Sequence, residues 1–404
     1  MTEQAFAGVK IADFGWIVVE PLLVKYLADH GAEVIRIEST TRRDLTRVSA
    51  PYKDGITGPN RAGFFASVNN NKYGVTLNLK HPRGLEVAKR IVAWADIVCE
   101  GYTPGTMKGW GLDYEALKKV KPDIIMASTC NQGQTGPYAS HPGFGTQLVG
   151  YSGLAAVTGW PDGEPVIPDT PYTDALTPPF GAAVLIAALI YRRRIGKGAY
   201  LDLSQHEVAV YSLAPLVLDY TVNGRVQQRE GNRSPHAAPH GIYPCRGDDR
   251  WCAIAVSTDE EWQSFTRVIG EPSWTWESRF ATLKGRKEYE DELDEFVGEW
   301  TRQFDAGDVM SIMQMSGIAA GVVQTCEEVY NDPQLQHRQH LWPLEHPEIG
   351  RQHYELPAFR LSKTPAELRI PGPCLGQHNE FVYTEILGMS DKEFVELLND
   401  GVFD

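Results

Sequence analysis

VKIADFGWIVVEPLLVKYLADHGAEVIRIE, Val9 to Glu38, decides the fold. "VKIADF" is a short apolar run suited to a strand. "PLLVKYLADH" carries apolar residues at helical spacing with Pro21 fit for a first turn, Gly31 can end that helix, and "EVIRIE" is a second strand. Two such strands joined through a helix make a βαβ unit, and the chain repeats the rhythm: strand "GVTLNLK", helix "PRGLEVAKRIVAWA", strand "DIVCE", helix "DYEALKKV", strand "DIIMAS". The pattern predicts an α/β fold with a Rossmann-like open parallel sheet.

Beyond Pro178 and Pro179, "FGAAVLIAALIY" has no charged side chain, so it reads as a helix buried on all sides. Strand "AYLDLS" and a long apolar helix, about 207 to 222, follow. From Asn223 the texture turns polar and turn-rich, and "RWCAIAVS" with "DEEWQSFTRVIG" reads as the strand and helix of a smaller α+β domain. The expected large domain is therefore 1–222 plus 330–404, and the small domain 223–329. Within the former, 330–375 reads as a proline-rich, mostly irregular connecting strap. The acidic helix near 287–304 reads as a solvated face with Phe296 and Trp300 inward, and Ser390 as the cap of a C-terminal helix.

The totals narrow the function. With 404 residues, 42% hydrophobic and 22% charged, the chain is a globular enzyme or binding protein; a net charge of −14 argues against a nucleic-acid partner. Six scattered cysteines without C-x-x-C spacing point to reduced thiols and a cytoplasmic setting. The N-terminal stretch has neither the basic nor the apolar region of a signal peptide, and no membrane span is read.

Chemical motifs are sparse. The first βα turn, "DFGWIVVEP", holds the single Gly15 where a dinucleotide fingerprint needs three, so NAD is disfavoured and Glu38 is not read as a ribose-binding acid. No P-loop, nucleophile elbow or H-E-x-x-H occurs. His236 and His240 stand four apart in "SPHAAPHG", but Pro235, Pro239 and Gly241 oppose a helix, so they read as loop residues and no metal is expected. "YRRRIGKG" suits a solvated helix C-terminus as well as a phosphate grip. Asp174, in "TPYTDALTPP", stands alone among small, apolar and proline residues. A helix beginning at Pro178 would take Thr177 as its cap and leave Asp174 one turn too early to serve.

Several segments, in order and over nearly the whole chain, resemble the class III CoA-transferases, the family of formyl-CoA transferase and L-carnitine CoA-transferase. They are "DFGWIVVEPLLVKYLADHGAEVIRIE", "NNNKYGVTLNLKHPRG", "ADIVCEGYTPGTMKGWGLDYEAL", "YTDALTPPFGAAVLIAALIYRRRIGKGAYLDLSQHE", "GNRSPHAAPHGIYPCRGDDRWCAIAV", "AGVVQTCEEVYNDPQLQHRQ", "FRLSKTPAE" and "GQHNEFVYTEILG". The resemblance makes Asp174 the nucleophile, placed before the apolar helix and the G-K-G of Gly196 and Gly198. It implies transfer of CoA from an acyl-CoA donor to a carboxylic acid through an aspartyl anhydride and an aspartyl-CoA thioester, with CoA as substrate and no permanently bound cofactor.

For CoA the resemblance points to Trp16, Ile17, Val18, Val19, Leu77, Lys80, Tyr102 and Thr106. Arginines of formyl-CoA transferase fall at Ser39 and Gly109, so Arg42, Arg43 or Lys108 would have to substitute, or the phosphates lie more in solvent. Val18 replaces a glutamine that helps bind acyl intermediates, and Phe144, His236 and His240 fall in the substrate pocket. The "GFGTQLVGYSG" and "YTD" variants look more like the subgroup handling succinyl-CoA and aromatic or dicarboxylic acids. The fold also serves 2-methylacyl-CoA racemases, but their proton-carrying histidine aligns with Phe144, and a phenyl ring carries no proton. An interlocked, ring-threaded homodimer is implied, or a hetero-oligomer with a related subunit.

Overall fold

The computed structural model describes residues 4–404. Its chain divides into two compact units, one formed by residues up to Leu154 with Ile167–Asn223 and Pro333–Asp404, the other by Ala155–Val166 with Gly224–Asp332.

The first unit is built on six parallel strands: β1 (Lys10–Phe14), β2 (Glu33–Glu38), β3 (Tyr73–Thr76), β4 (Ile97–Glu100), β5 (Ile125–Cys130) and β6 (Tyr200–Ser204). They lie in the order β3-β2-β1-β4-β5-β6, with Ile11 opposite both Val34 and Ile97. This is the doubly wound Rossmann order, whose switch point falls between β1 and β4. Alternate residues feed opposite faces, as strand geometry requires. Ile11, Val34, Ile97 and Ile125 pack with Leu23 and Leu27 of α1 (Val19–Ala28). Ala12, Ile35 and Val98 pack on the other face with Val87 and Ile91 of α2 (Pro82–Trp94) and with Tyr383 and Phe403 from the C-terminal tail.

Several expectations are corrected. The apolar helix spans Tyr172–Ile195 and does not begin at Pro178, so both prolines lie inside it. It is not buried all round: Ala182, Leu185 and Leu189 face the core, but Phe180, Val184, Ile190, Tyr191 and Ile195 are exposed. By length and composition it is apolar enough to cross a membrane, yet its inner side is part of the sheet's core. The helix expected over 207–222 is two, separated at Leu213, and the strap contains an antiparallel hairpin, Leu341–His346 with Gly350–Glu355. Ser390 caps the last helix as expected, its Oγ accepting from the Glu393 amide at 3.2 Å.

The second unit has a three-stranded antiparallel sheet, His240–Pro244, Trp251–Ala255 and Ala319–Val322, covered by helices that include Asp259–Val268 and Glu290–Thr301. Phe296 and Trp300 pack against its core, whose buried members on the same helix are Leu293 and Val297. The segment Ala155–Val166, expected with the large domain, belongs here. The Gly231 amide donates to the Gly159 carbonyl at 2.9 Å, and the Arg229 guanidinium donates to the carbonyls of Ala156 and Gly163.

Candidate active site

The turn after β1 is set by charge buried beneath it. Asp13 accepts from the Gly15 amide at 2.8 Å, from Arg36 at 2.8 Å and from Lys72 at 2.8 Å; Arg36 also reaches Asp44 at 2.6 Å, and Asp44 accepts from the Ile17 amide at 3.1 Å. Burial alone would raise the Asp13 pKa, but Lys72 and Arg36 outweigh it and hold it low. Glu20, equally buried, is driven well above the usual carboxylate range by burial and by the Asp13 charge. Gly15 is required by close approach: a Cβ there would meet Glu20 Oε2 at 1.3 Å. Ile17 is held at φ 66°, a conformation costly for a β-branched residue, on the order of 1–3 kcal/mol, and its bond to Asp44 helps hold it there.

This turn forms one wall of a cavity of ≈ 290 Å³. The lining comes from the carboxyl ends of β1 (Trp16–Val19), β4 (Gly101–Pro104), β5 (Thr129–Asn131) and β6 (Gln205), with Arg42, Asp174 and the segment 139–145. Open parallel sheets bind ligands at this position, outside the strand ends at the switch point. Val18, before α1, provides no side-chain cap, so the positive helix end opens on the cavity. Tyr102 packs beside Trp16 and Trp110, and its amide donates to Glu100 at 2.8 Å. Burial raises Glu100 to about 7. The Arg42 guanidinium lies 5.3 Å from the Trp16 ring centre.

Asp174 enters on the first turn of its helix, and the opposing wall is α3 (Gly145–Tyr151), which precedes α4 (Tyr172–Ile195). The Asp174 amide donates to the Pro171 carbonyl at 2.9 Å. Thr173 Oγ donates to the Gly145 carbonyl at 3.3 Å and lies 3.4 Å from Asp174 Oδ1. Pro178 and Pro179 have no N–H to offer the carbonyls of Asp174 and Ala175 four residues back. Burial, opposed only by the Thr173 hydroxyl, raises the carboxyl to about 6. No cation contributes. At pH 7 most of the group is still carboxylate.

Of the expected residues, Trp16, Ile17, Val18, Val19, Tyr102, Phe144 and Asp174 line this one cavity. Arg42 lines it; Arg43 and Lys108 do not, and both are exposed. The Leu77 side chain is spent in the core, Lys80 is exposed, and Thr106 opens a short helix with its amide on the Thr103 carbonyl. His236 and His240 belong to the other unit. His236 is exposed, and His240 lines a separate cavity there, its Nδ1 2.5 Å from the Asn232 carbonyl. Sequence reasoning missed His141, Asn131, Gly145 and Gln205. Only the register of β5 and β6, which pairs Cys130 with Ser204, reveals that Asn131 and Gln205 adjoin. Among the described residues no group of three metal-binding side chains occurs.

The description of CoA-transferase family III matches residues 6–379. The chain is 32% identical to the succinyl-CoA–D-citramalate CoA-transferase of Chloroflexus aurantiacus over 96% of each chain. It is 30% identical to the succinate–glutarate CoA-transferase of Agrobacterium fabrum, over 94% of this chain and 95% of that one. Among solved structures it is similar to a CAIB/BAIF family protein from Brucella suis, with TM-score 0.87 and 28% identity, covering 95% of this chain and 100% of that chain.

Proposed function

The chain belongs to CoA-transferase family III, and from that membership we propose that Asp174 is the nucleophile that carries CoA from an acyl-CoA to a carboxylic acid. The observation that carries the reading is a carboxylate raised to about 6 without a cation partner, in a cavity at the sheet's switch point. Such a group is ionised at neutral pH and retains nucleophilicity.

The exchange needs no ATP if the thioester's free energy survives in each intermediate. Asp174 Oδ attacks the thioester carbonyl, the C–S bond breaks, and CoA leaves as thiolate from an aspartyl mixed anhydride. The thiolate attacks the aspartyl carbonyl and expels the donor acid, leaving an aspartyl-CoA thioester. The acceptor carboxylate attacks that carbonyl, forming a second anhydride and freeing the thiolate, which takes the acceptor's acyl group and regenerates the Asp174 carboxylate. Water must stay out, and the half-buried site serves that end. The turn Trp16–Val19 and Tyr102 would receive the pantetheine and adenine, with Arg42 the cation in the lining. The relatives named for citramalate and glutarate support succinyl-CoA as donor and a dicarboxylic acid as acceptor. The exposed apolar stripe of α4 supports a dimer, in which a second copy of the chain covers it.

Intact-protein mass spectrometry during turnover, with hydroxylamine or borohydride trapping, tests the nucleophile. Modification at Asp174 is expected, and exchange that leaves position 174 unmodified overturns the mechanism. Proton chemistry next to the thioester is the second reading, favoured by one observation: His141 lines the cavity three residues before Phe144. Washout of the acyl α-proton in deuterium oxide, without CoA exchange between any pair of acids, would select it.

A further inference from the structure

The second oxygen function of the acid has no cation to meet it in this cavity other than Arg42, whose guanidinium is placed over Trp16. The lining offers a neutral group instead. Gln205 is 7% exposed, and its carboxamide makes no hydrogen bond, with Oε1 enclosed and unpartnered. The enclosed Oε1 cannot serve an anionic oxygen, since both accept; the Nε2 group, which makes no hydrogen bond either, is the donor the side chain has to offer a ligand in the cavity. Gln205 opens helix Gln205–Ser212, whose positive end favours an anionic oxygen. The neighbouring amides of that helix are already taken: His206 donates to the Asn131 carbonyl at 2.9 Å, and Glu207 to Ser204 Oγ at 3.2 Å. The side chain of Gln205 is thus the group left to act, and Asn131, on the adjoining strand end, lines the same cavity.

We infer that the Gln205 carboxamide, assisted by Asn131, binds the distal oxygen of the acyl chain and makes the enzyme selective for dicarboxylic over monocarboxylic acids. The inference rests on the CoA-transferase reading and names the residue that sets its acceptor class. A site built to hydrogen-bond a polar substrate group discriminates strongly against analogues that lack it.

The test compares glutarate with pentanoate, of equal chain length, as acceptors from one fixed acyl-CoA donor, in the wild type, Gln205→Leu and the near-isosteric Gln205→Met. In both variants kcat/KM for glutarate should fall at least about tenfold, chiefly through KM, with pentanoate changed less than about twofold. Equal losses for both acids, or no loss for glutarate, overturn the inference. Glutarate binding in the presence of CoA, followed by ligand-observed NMR, separates this from the covalent mechanism. Binding kept in Asp174→Ala and lost in Gln205→Met supports the role of Gln205 even where exchange is absent. Equal binding, or none, in wild type and Gln205→Met refutes it, whatever trapping shows at position 174.

Discussion

Gly145 lies against the carboxylate of Asp174 so closely that a Cβ at 145 would fall 2.3 Å from Oδ1. The backbone at the start of α3 therefore limits, with the Thr173 hydroxyl, which way this carboxylate points. Gly145→Ala should displace the carboxylate and lower kcat on the order of 100-fold, since misplacement by about 1 Å costs that much. Gly145 is not at a left-handed φ, so the variant should keep its fold. Turnover measured beside a thermal melt checks both parts.

The pH dependence follows from the same carboxyl. Activity requires it ionised, so kcat/KM should rise with pH through about 6 and level off above it. Stability runs the other way. The folded pKa of about 6 exceeds the ordinary 3.8, so the fold holds this proton more tightly than the unfolded chain, and the carboxyl's contribution declines as pH rises between those values. Asp174→Asn should therefore be inactive, yet melt no lower than wild type at pH 7; a melt several degrees lower would count against the argument.

Asp174→Ala should abolish exchange while CoA affinity stays within about tenfold, because the nucleophile acts on the transition state more than on ground-state binding. Calorimetric titration with CoA measures this directly.

Beneath the first turn, Glu20 and Asp13 should respond oppositely to amide replacement. Glu20→Gln replaces a carboxyl whose pKa burial and the Asp13 charge drive well up, so that the fold disfavours its charge, and should shift the melting temperature little. Asp13→Asn leaves Arg36 and Lys72 short of their shared partner and should cost about 3–5 kcal/mol. Denaturant titration of the two variants side by side distinguishes them.

The exposed stripe of α4 gives a prediction about assembly. Val184→Asp puts a charge on the same helix face as Phe180, Tyr191 and Ile195, and analytical ultracentrifugation should show a wild-type dimer and a dissociated variant. A wild-type monomer would remove the surface's proposed role.

The parallel sheet was legible because its strands are buried on both faces and read as apolar runs between amphipathic helices, as in β1, α1 and β2. The start of α4 was not, because prolines usually open helices and here two sit a turn and a half inside one. The hairpin at 341–355 was hidden by Pro343, which a two-stranded edge tolerates. Asp174 stood out in the sequence as an isolated acid, and only the family resemblance gave it a role. Gln205 and Gly145 carried no local signal, since their importance comes from strand register and from one backbone approaching one carboxylate.

Pro178 and Pro179 have a mechanical consequence. Two rungs of the helical ladder are missing behind Asp174, so the turn that bears it is loosely laced to the rest of α4. A carboxylate that, in the proposed mechanism, swells into an anhydride, becomes a thioester and shrinks again can shift within that slack, while the rest of the helix stays packed with α1.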